Sequence, residues 1–190
     1  MSQAEYTQTT WDEITANDND VSDEEYQQSV KGNLQLAEEE PKANRGNLPG
    51  FIKFAKGEEK TLYFPKRTSD GSINAGKPVY KVYLENLPDK NKNLVHEKLE
   101  DFETDDKYQT YGEGKKPGLR YYVEVVELTP QGSRRATFDM AKTKYDLVFR
   151  EFLTPDQRIL TIKMGKNSTD APIVKYPSAA TLKALLPKSK

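Results

Sequence analysis

The sequence predicts an α+β domain, mainly β, built around a small antiparallel sheet or barrel and preceded by a disordered acidic tail. Three observations carry that prediction. Beyond residue 47 the chain reads as six or seven short alternating segments separated by turn residues. Only two stretches show helical spacing of apolar residues. Finally, charge is split along the chain. Residues 1–41 hold 11 acidic side chains and one lysine, Lys31, for a net charge of −10, and the remainder holds 28 basic and 19 acidic ones, for +9. Such asymmetry points to an acidic tail joined to a domain with anionic partners, although a solvated surface behind a solubilising tail would look the same from charge alone.

Residues 1–47 are rich in Gln, Asn, Thr, Asp and Glu and show no sustained period, which predicts disorder. Thr10-Trp11-Asp12-Glu13 fits a capping box that would put Trp11 and Ile14 on one side of a helical turn. So short a pattern favours an isolated aromatic in a loose tail, yet Trp11 remains the tail's candidate for partner contact. Asn47-Leu48-Pro49-Gly50 marks the domain entrance, so residues 48–190 form the domain.

Phe51–Phe54 reads as a strand, Lys56-Gly57-Glu58-Glu59 as a turn and Thr61–Phe64 as the return strand, together a hairpin stopped by Pro65. Residues 66–78 read as a basic flexible loop, and Val79–Leu84 as a strand with Val79, Lys81 and Tyr83 on one face. Residues 85–118 read as a charged, weakly structured insertion; a connection of this length is functional or mobile. Leu119–Leu128 is the strongest strand pattern, with Thr129-Pro130-Gln131-Gly132 as its turn and Arg134–Phe138 as its return. Ala141, Tyr145, Val148, Phe149 and Phe152 make an apolar stripe that predicts a helix over 139–153, ended at Thr154-Pro155. Arg158–Met164 and Ala171–Tyr176 read as a closing pair of strands, and Ala179–Leu186 as a short terminal helix.

Several chemistries are excluded or weakly signalled. Cysteine is absent, so neither disulfides nor a cysteine-based metal site can form, and the single histidine, His96, excludes the ordinary multi-histidine sites. No Gly-x-Gly-x-x-Gly and no phosphate loop is present. His96 lies in a charged segment that offers no buried orienting shell for a triad and reads as a surface histidine. The sequence therefore predicts no enzyme, no cofactor and no metal. The longest apolar run falls well short of the roughly 20 residues needed to cross a bilayer, and the N-terminus lacks signal-peptide features. A cytoplasmic location without membrane contact is the expectation.

Binding has more support. Proteins that hold single strands combine a cationic groove with rings on which bases stack, each stack worth about 1–3 kcal/mol. The domain interleaves both residue types at Phe51-Ile52-Lys53-Phe54, Tyr63-Phe64-Pro65-Lys66-Arg67, Tyr80-Lys81-Val82-Tyr83 and Arg120-Tyr121-Tyr122. The alternative for each tyrosine is a half-buried strand residue.

The order of these motifs resembles phage-type single-stranded DNA-binding proteins. Phe51 to Pro65, with its Gly57-Glu58 turn, resembles their opening hairpin; Arg120–Val126 looks like their central strand; Leu160–Lys166 and Ile173–Pro177 are similar to their closing hairpin. The resemblance implies an OB-like barrel with one or two helices and a non-sequence-specific role in replication or recombination, in the host cytoplasm if the chain is viral. Lys53, Tyr63, Lys66, Arg67, Tyr80, Tyr83, Arg120 and Tyr122 match the family's basic and aromatic strand positions and are the expected nucleic-acid contacts. Single-stranded DNA is the expected partner, with RNA as the alternative, and the acidic tail would compete for the groove or recruit replication or recombination proteins. The sequence departs from the family pattern in lacking a cysteine cluster in the insertion and in carrying its acidic tail at the N-terminus. A second reading is a viral structural or adaptor protein with no nucleic-acid ligand.

Overall fold

The longest strand, β4 (Gly118–Thr129), organises the sheet. Its run of β-branched and aromatic residues suits a pleated surface packed on both sides. A computed structural model describes residues 50–67, 69–166 and 170–185; the expected tail and Trp11 lie outside them. Along one edge β4 pairs with β5 (Gly132–Ala141) from Arg120↔Ala141 to Thr129↔Gly132. Its other edge is shared between two strands. β2 (Lys77–Tyr83) takes the first part, with Val79↔Arg120 and Lys77↔Tyr122, and β1 (Glu59–Tyr63) takes the last part, with Tyr63↔Val126.

The sheet continues outward from these two. β1 pairs with β6 (Ile159–Lys163), which pairs with β7 (Ile173–Lys175); β2 pairs with β3 (Asn93–His96). Every ladder is antiparallel, in the order β3-β2-β4-β1-β6-β7 with β5 on β4. The expected α+β, mainly β class is what the structure shows.

Strand alternation divides the core in two. On one face Leu62, Phe64, Val123, Val125, Phe138, Met140, Leu160 and Ile162 form the main cluster, covered by Val148 and Leu153. On the other, Tyr63, Val126 and Ile159 meet Leu182, while Val79, Val95 and Tyr122 meet Phe51. Tyr122 to Glu127 is consequently buried on both faces. Both buried carboxylates in this stretch face cations. Glu127 accepts from Lys60 Nζ at 2.7 Å and from Arg134 at 2.6 Å, and Glu124 lies 3.6 Å from Arg135. Burial raises the Glu127 carboxyl, but the hydrogen bonds from Lys60 and Arg134, helped by their charges, outweigh it and hold the group below its ordinary value. The hydroxyls of Thr61 and Thr161 sit 3.1 Å apart across β1 and β6.

Three expectations need correction. Phe51–Phe54 does not form a hairpin with β1. Phe51 makes one parallel bridge to Thr137, Ile52 N donates to Thr137 O at 2.8 Å, and Thr137 N donates to Gly50 O at 3.0 Å, so the segment runs beside β5. Ile52 is buried in the main core and Phe54 packs on Phe138, ring centroids 5.6 Å apart. Beyond that bridge the segment is not a strand; a sequence pattern says which side chains go inward and not which strand is the neighbour.

The insertion is more ordered than expected. It holds β3, a 3-10 turn at Glu100–Thr104 and a helix α1 (Asp106–Tyr111). Val82, Leu84, Leu87, Leu94 and Phe102, with Tyr80 and Tyr108, give it a small core of its own. Asp105 caps α1 by accepting from Tyr108 N at 3.0 Å and also meets His96 Nε2 at 2.9 Å. His96 also stands edge-on to Phe102, centroids 4.5 Å apart, so it is half-buried and held in place rather than on the surface as expected.

The expected helix over 139–153 begins late. β5 continues to Ala141 because Asp139 and Met140 still pair with Tyr122 and Tyr121. The helix α2 (Lys142–Asp146) then widens into a π-helical turn, Leu147–Phe152. The closing helix α3 (Ala179–Leu185) starts at Ser178, whose hydroxyl accepts from Thr181 N at 3.1 Å. Among the described residues no helix is long and apolar enough to cross a membrane.

Candidate functional site

The eight residues expected to contact nucleic acid do not converge. Tyr63 and Tyr122 are fully buried. Tyr63 lies against Val126, Ile159 and Leu182, and its phenol oxygen accepts from Arg158 Nη1 at 2.6 Å. Tyr122 is packed between Val79 and Val95 with Phe51 edge-on at 5.1 Å. Neither ring offers a face to a base. The reason is that β4 and β1 lie mid-sheet and both their faces are covered, which a strand pattern alone does not reveal.

Tyr80 is half-buried in the insertion's core, whereas Tyr83, 54% exposed, projects from the opposite face of β2. Lys53 is exposed beside β5. Lys66 and Arg67 are partly buried in a tight turn, where Lys66 bridges Ile73 and Arg67 N donates to Ser72 O at 2.7 Å. The basic loop is thus more ordered than its composition suggests. Arg120 donates from Nε to Asp139 Oδ1 at 2.7 Å.

Arg120 also lines a concave site that combines cations with a ring, a cleft of about 560 Å³. The cleft is assembled from four stretches of chain. Phe54 and Lys56 come from the segment entering the domain, Arg120 from β4, Lys144 and Leu147 from α2 and its π turn, and Met164, Lys166 and Asp170 from the β6–β7 connection. Its charged lining is four cations to one acid. The connection must turn sharply to close the wall: a Cβ on Gly165 would lie 2.2 Å from Asp170 Cβ, so the position requires glycine. Gly57, with φ of 73°, makes the other turn and donates to Gly165 O at 3.3 Å, tying the two walls together.

Behind the cleft Tyr121, Tyr145 and Phe149 stack in a column, with centroids 3.8 Å and 4.4 Å apart. Burial, then the charges of Tyr121 and Asp146, push the Tyr145 phenol above its ordinary value, so it is neutral there. Lys144 sits 5.9 Å from the Phe138 ring centroid. Burial and the Arg120 charge hold its ammonium below the usual lysine value, with Asp139 opposing.

Sequence reasoning found Arg120 and missed Lys56, Lys144 and Lys166. A signal was available, since Lys56-Gly57 and Gly165-Lys166 each put a lysine beside a glycine turn. Nothing in the sequence showed that the two turns meet. Among the described residues no group of three or more metal-binding side chains is gathered. No family model matches the chain, and no curated protein and no solved structure matches it.

Proposed function

We propose that this chain binds single-stranded DNA, without sequence specificity and without chemistry of its own, and that the cleft holds the strand. One observation supports the reading above the others: Lys56, Arg120, Lys144 and Lys166 converge on one concave surface beside the Phe54 ring. Phosphates suit the cations and an unstacked base suits the ring and the apolar lining of Leu147 and Met164. A duplex keeps its bases stacked, so it offers this lining less.

In this reading the sheet is an OB-like barrel of the phage single-strand-binding type. The chain would coat exposed strands during replication or recombination, with RNA as a weaker ligand, and the acidic tail with Trp11 would meet partner proteins. The contact set shifts from the strand tyrosines to the cleft.

Fluorescence anisotropy with a labelled oligonucleotide at several salt concentrations tests the proposal. If three or four of the cations each meet a phosphate, the log–log slope is about −2 to −3. Lys56→Glu with Lys166→Glu should abolish binding at moderate salt. Absence of binding by the wild-type chain at low salt would refute the proposal.

The second reading is a viral structural or adaptor protein with no nucleic-acid ligand. It is favoured by the packing of Tyr63 and Tyr122 against protein. A large salt-resistant oligomer free of nucleic acid would select it.

A further inference from the structure

Among the described residues no carboxylate pairs with Lys144, a cleft cation, because each acid around it is engaged elsewhere. Asp139 gives one oxygen to Arg120 Nε at 2.7 Å and the other to Lys81 Nζ at 2.9 Å. Asp146, on the same helix, holds Lys142 at 2.5 Å and lies 3.6 Å from Arg150. Asp170 has an interaction of its own. The acceptor that Lys144 Nζ reaches is the Met164 thioether, at 3.5 Å, a weak one. Arg120, Lys56 and Lys166 bring further positive charge into the same cleft.

These surroundings make the proton of Lys144 easier to give up than that of an exposed lysine. An amine desolvated in a pocket beside another cation is the arrangement that turns lysine into a nucleophile near neutral pH. The downward displacement of Lys144, from burial first and Arg120 second, is in the same direction.

We propose that Lys144 is a covalent capture site for aldehydes that carry an anionic group, with the anion held by the neighbouring cleft cations. The amine lone pair adds to the carbonyl carbon while the carbonyl π pair moves to oxygen. A proton passes from nitrogen to that oxygen, giving a carbinolamine. Loss of hydroxyl and a second nitrogen proton as water leaves an imine. The step is redox-neutral and needs no co-reactant. Two sources present this chemistry: a free phosphorylated aldehyde, and the ring-opened sugar of an abasic site in a DNA strand. The second rests on the DNA-binding reading and the first does not.

The test treats the full chain with pyridoxal 5′-phosphate, reduces the imine with borohydride and maps the adducts by peptide mass spectrometry. Lys144 should be labelled at least severalfold faster than the exposed Lys53 and Lys163, because the cleft cations hold the aldehyde's phosphate beside its amine. Lys144→Arg, which keeps the charge, should lose the adduct. Pyridoxal without its phosphate should label the same lysine more slowly. Equal labelling of surface lysines, or an unlabelled Lys144, overturns the proposal, and equal rates with and without phosphate overturn its anionic half.

A second arm uses a single-stranded oligonucleotide with one abasic site, alongside anisotropy on the intact oligonucleotide. A reducible cross-link at Lys144 supports the strand as a source. Binding of the intact strand without a cross-link removes that source. Failure of the intact strand to bind refutes the DNA-binding reading, while the small-aldehyde arm still decides the role of Lys144.

Discussion

Replacing Gly76 by alanine puts a methyl group where the chain passes over β4. The backbone there has φ of 77°, in the region that L side chains rarely adopt. An added Cβ would lie 2.5 Å from Val123 Cγ2 and 2.6 Å from the Tyr122 carbonyl oxygen, and neither can retreat, because both belong to the buried centre of β4. Two costs add. The left-handed conformation costs about 1–2 kcal/mol with a Cβ present. Relieving the clash moves backbone in a packed core, at about 1–3 kcal/mol. The total, about 2–5 kcal/mol, is a large part of the roughly 5–15 kcal/mol that holds a domain folded. Gly57→Ala is the matched control. Its φ is 73°, but the nearest atom to its Cβ would be Lys166 Cγ at 3.8 Å, an ordinary contact. That variant should lose only the conformational cost, about 1–2 kcal/mol. Urea unfolding of both variants and the wild type, with unchanged slopes, measures the difference. If Gly76→Ala is no more destabilising than Gly57→Ala, the packing of the 76–77 crossing against β4 is not as described.

The remaining expectations concern charge and local order. Glu127 is held below its ordinary 4.5, so its contribution is fully present above that pH and is lost as the pH falls through the lowered value. Lys60, raised above 10.5 chiefly by its hydrogen bond to Glu127, loses its contribution only as the pH rises through the raised value. Urea midpoints should therefore be insensitive to this pair between the two limits. Lys60→Met should cost about 1–3 kcal/mol, less than the roughly 3–5 kcal/mol of an unpaired buried charge because Arg134 remains, and should flatten the acid fall; an unchanged acid limb would count against the pairing. Asp105→Ala removes the α1 cap and the His96 contact, at about 1 kcal/mol for the cap. Hydrogen exchange of residues 106–111 should quicken while β4 and β5 stay protected; uniform protection would show that the cap is idle. Removing residues 1–47 takes away a strong negative charge, so strand affinity in the anisotropy assay should rise at low salt and converge with the full chain at high salt. An affinity that does not change would deny the tail a competing role.

The fold was legible in the sequence where strand alternation and turn residues agreed. Leu119–Leu128, its Pro130-Gln131 turn, the closing pair and the terminal helix all stand close to where their patterns put them. The entry segment shows the limit: Phe51 and Ile52 had the right period, yet they lie beside β5 rather than β1, because pairing is decided by long-range packing. The insertion was misjudged for a related reason. Leu87, Leu94 and Phe102 are far apart in the chain and too few to show a period, but they converge on Val82 and Leu84 of one strand region. The site was the least legible part. Tyrosine is equally at home on a ligand face and in a sheet interior, and only the count of neighbours on both sides of Tyr63 and Tyr122 decides between them. Lys56, Lys144 and Lys166 look like ordinary surface lysines until the chain brings them around one hollow.

That β4 divides one edge between two neighbours has a kinetic consequence. Its ladder with β5 closes through a short turn, while the contacts to β1 and β2 must each recruit a remote piece of chain. Joining remote pieces costs more entropy before any contact rewards it, so the hairpin is expected to zip first and to serve as the template on which the flanks settle. Pulse-labelled exchange during refolding should find Val123 to Phe138 shielded ahead of Leu62 and Val79. Simultaneous shielding would mean that the flanks do not wait for the hairpin.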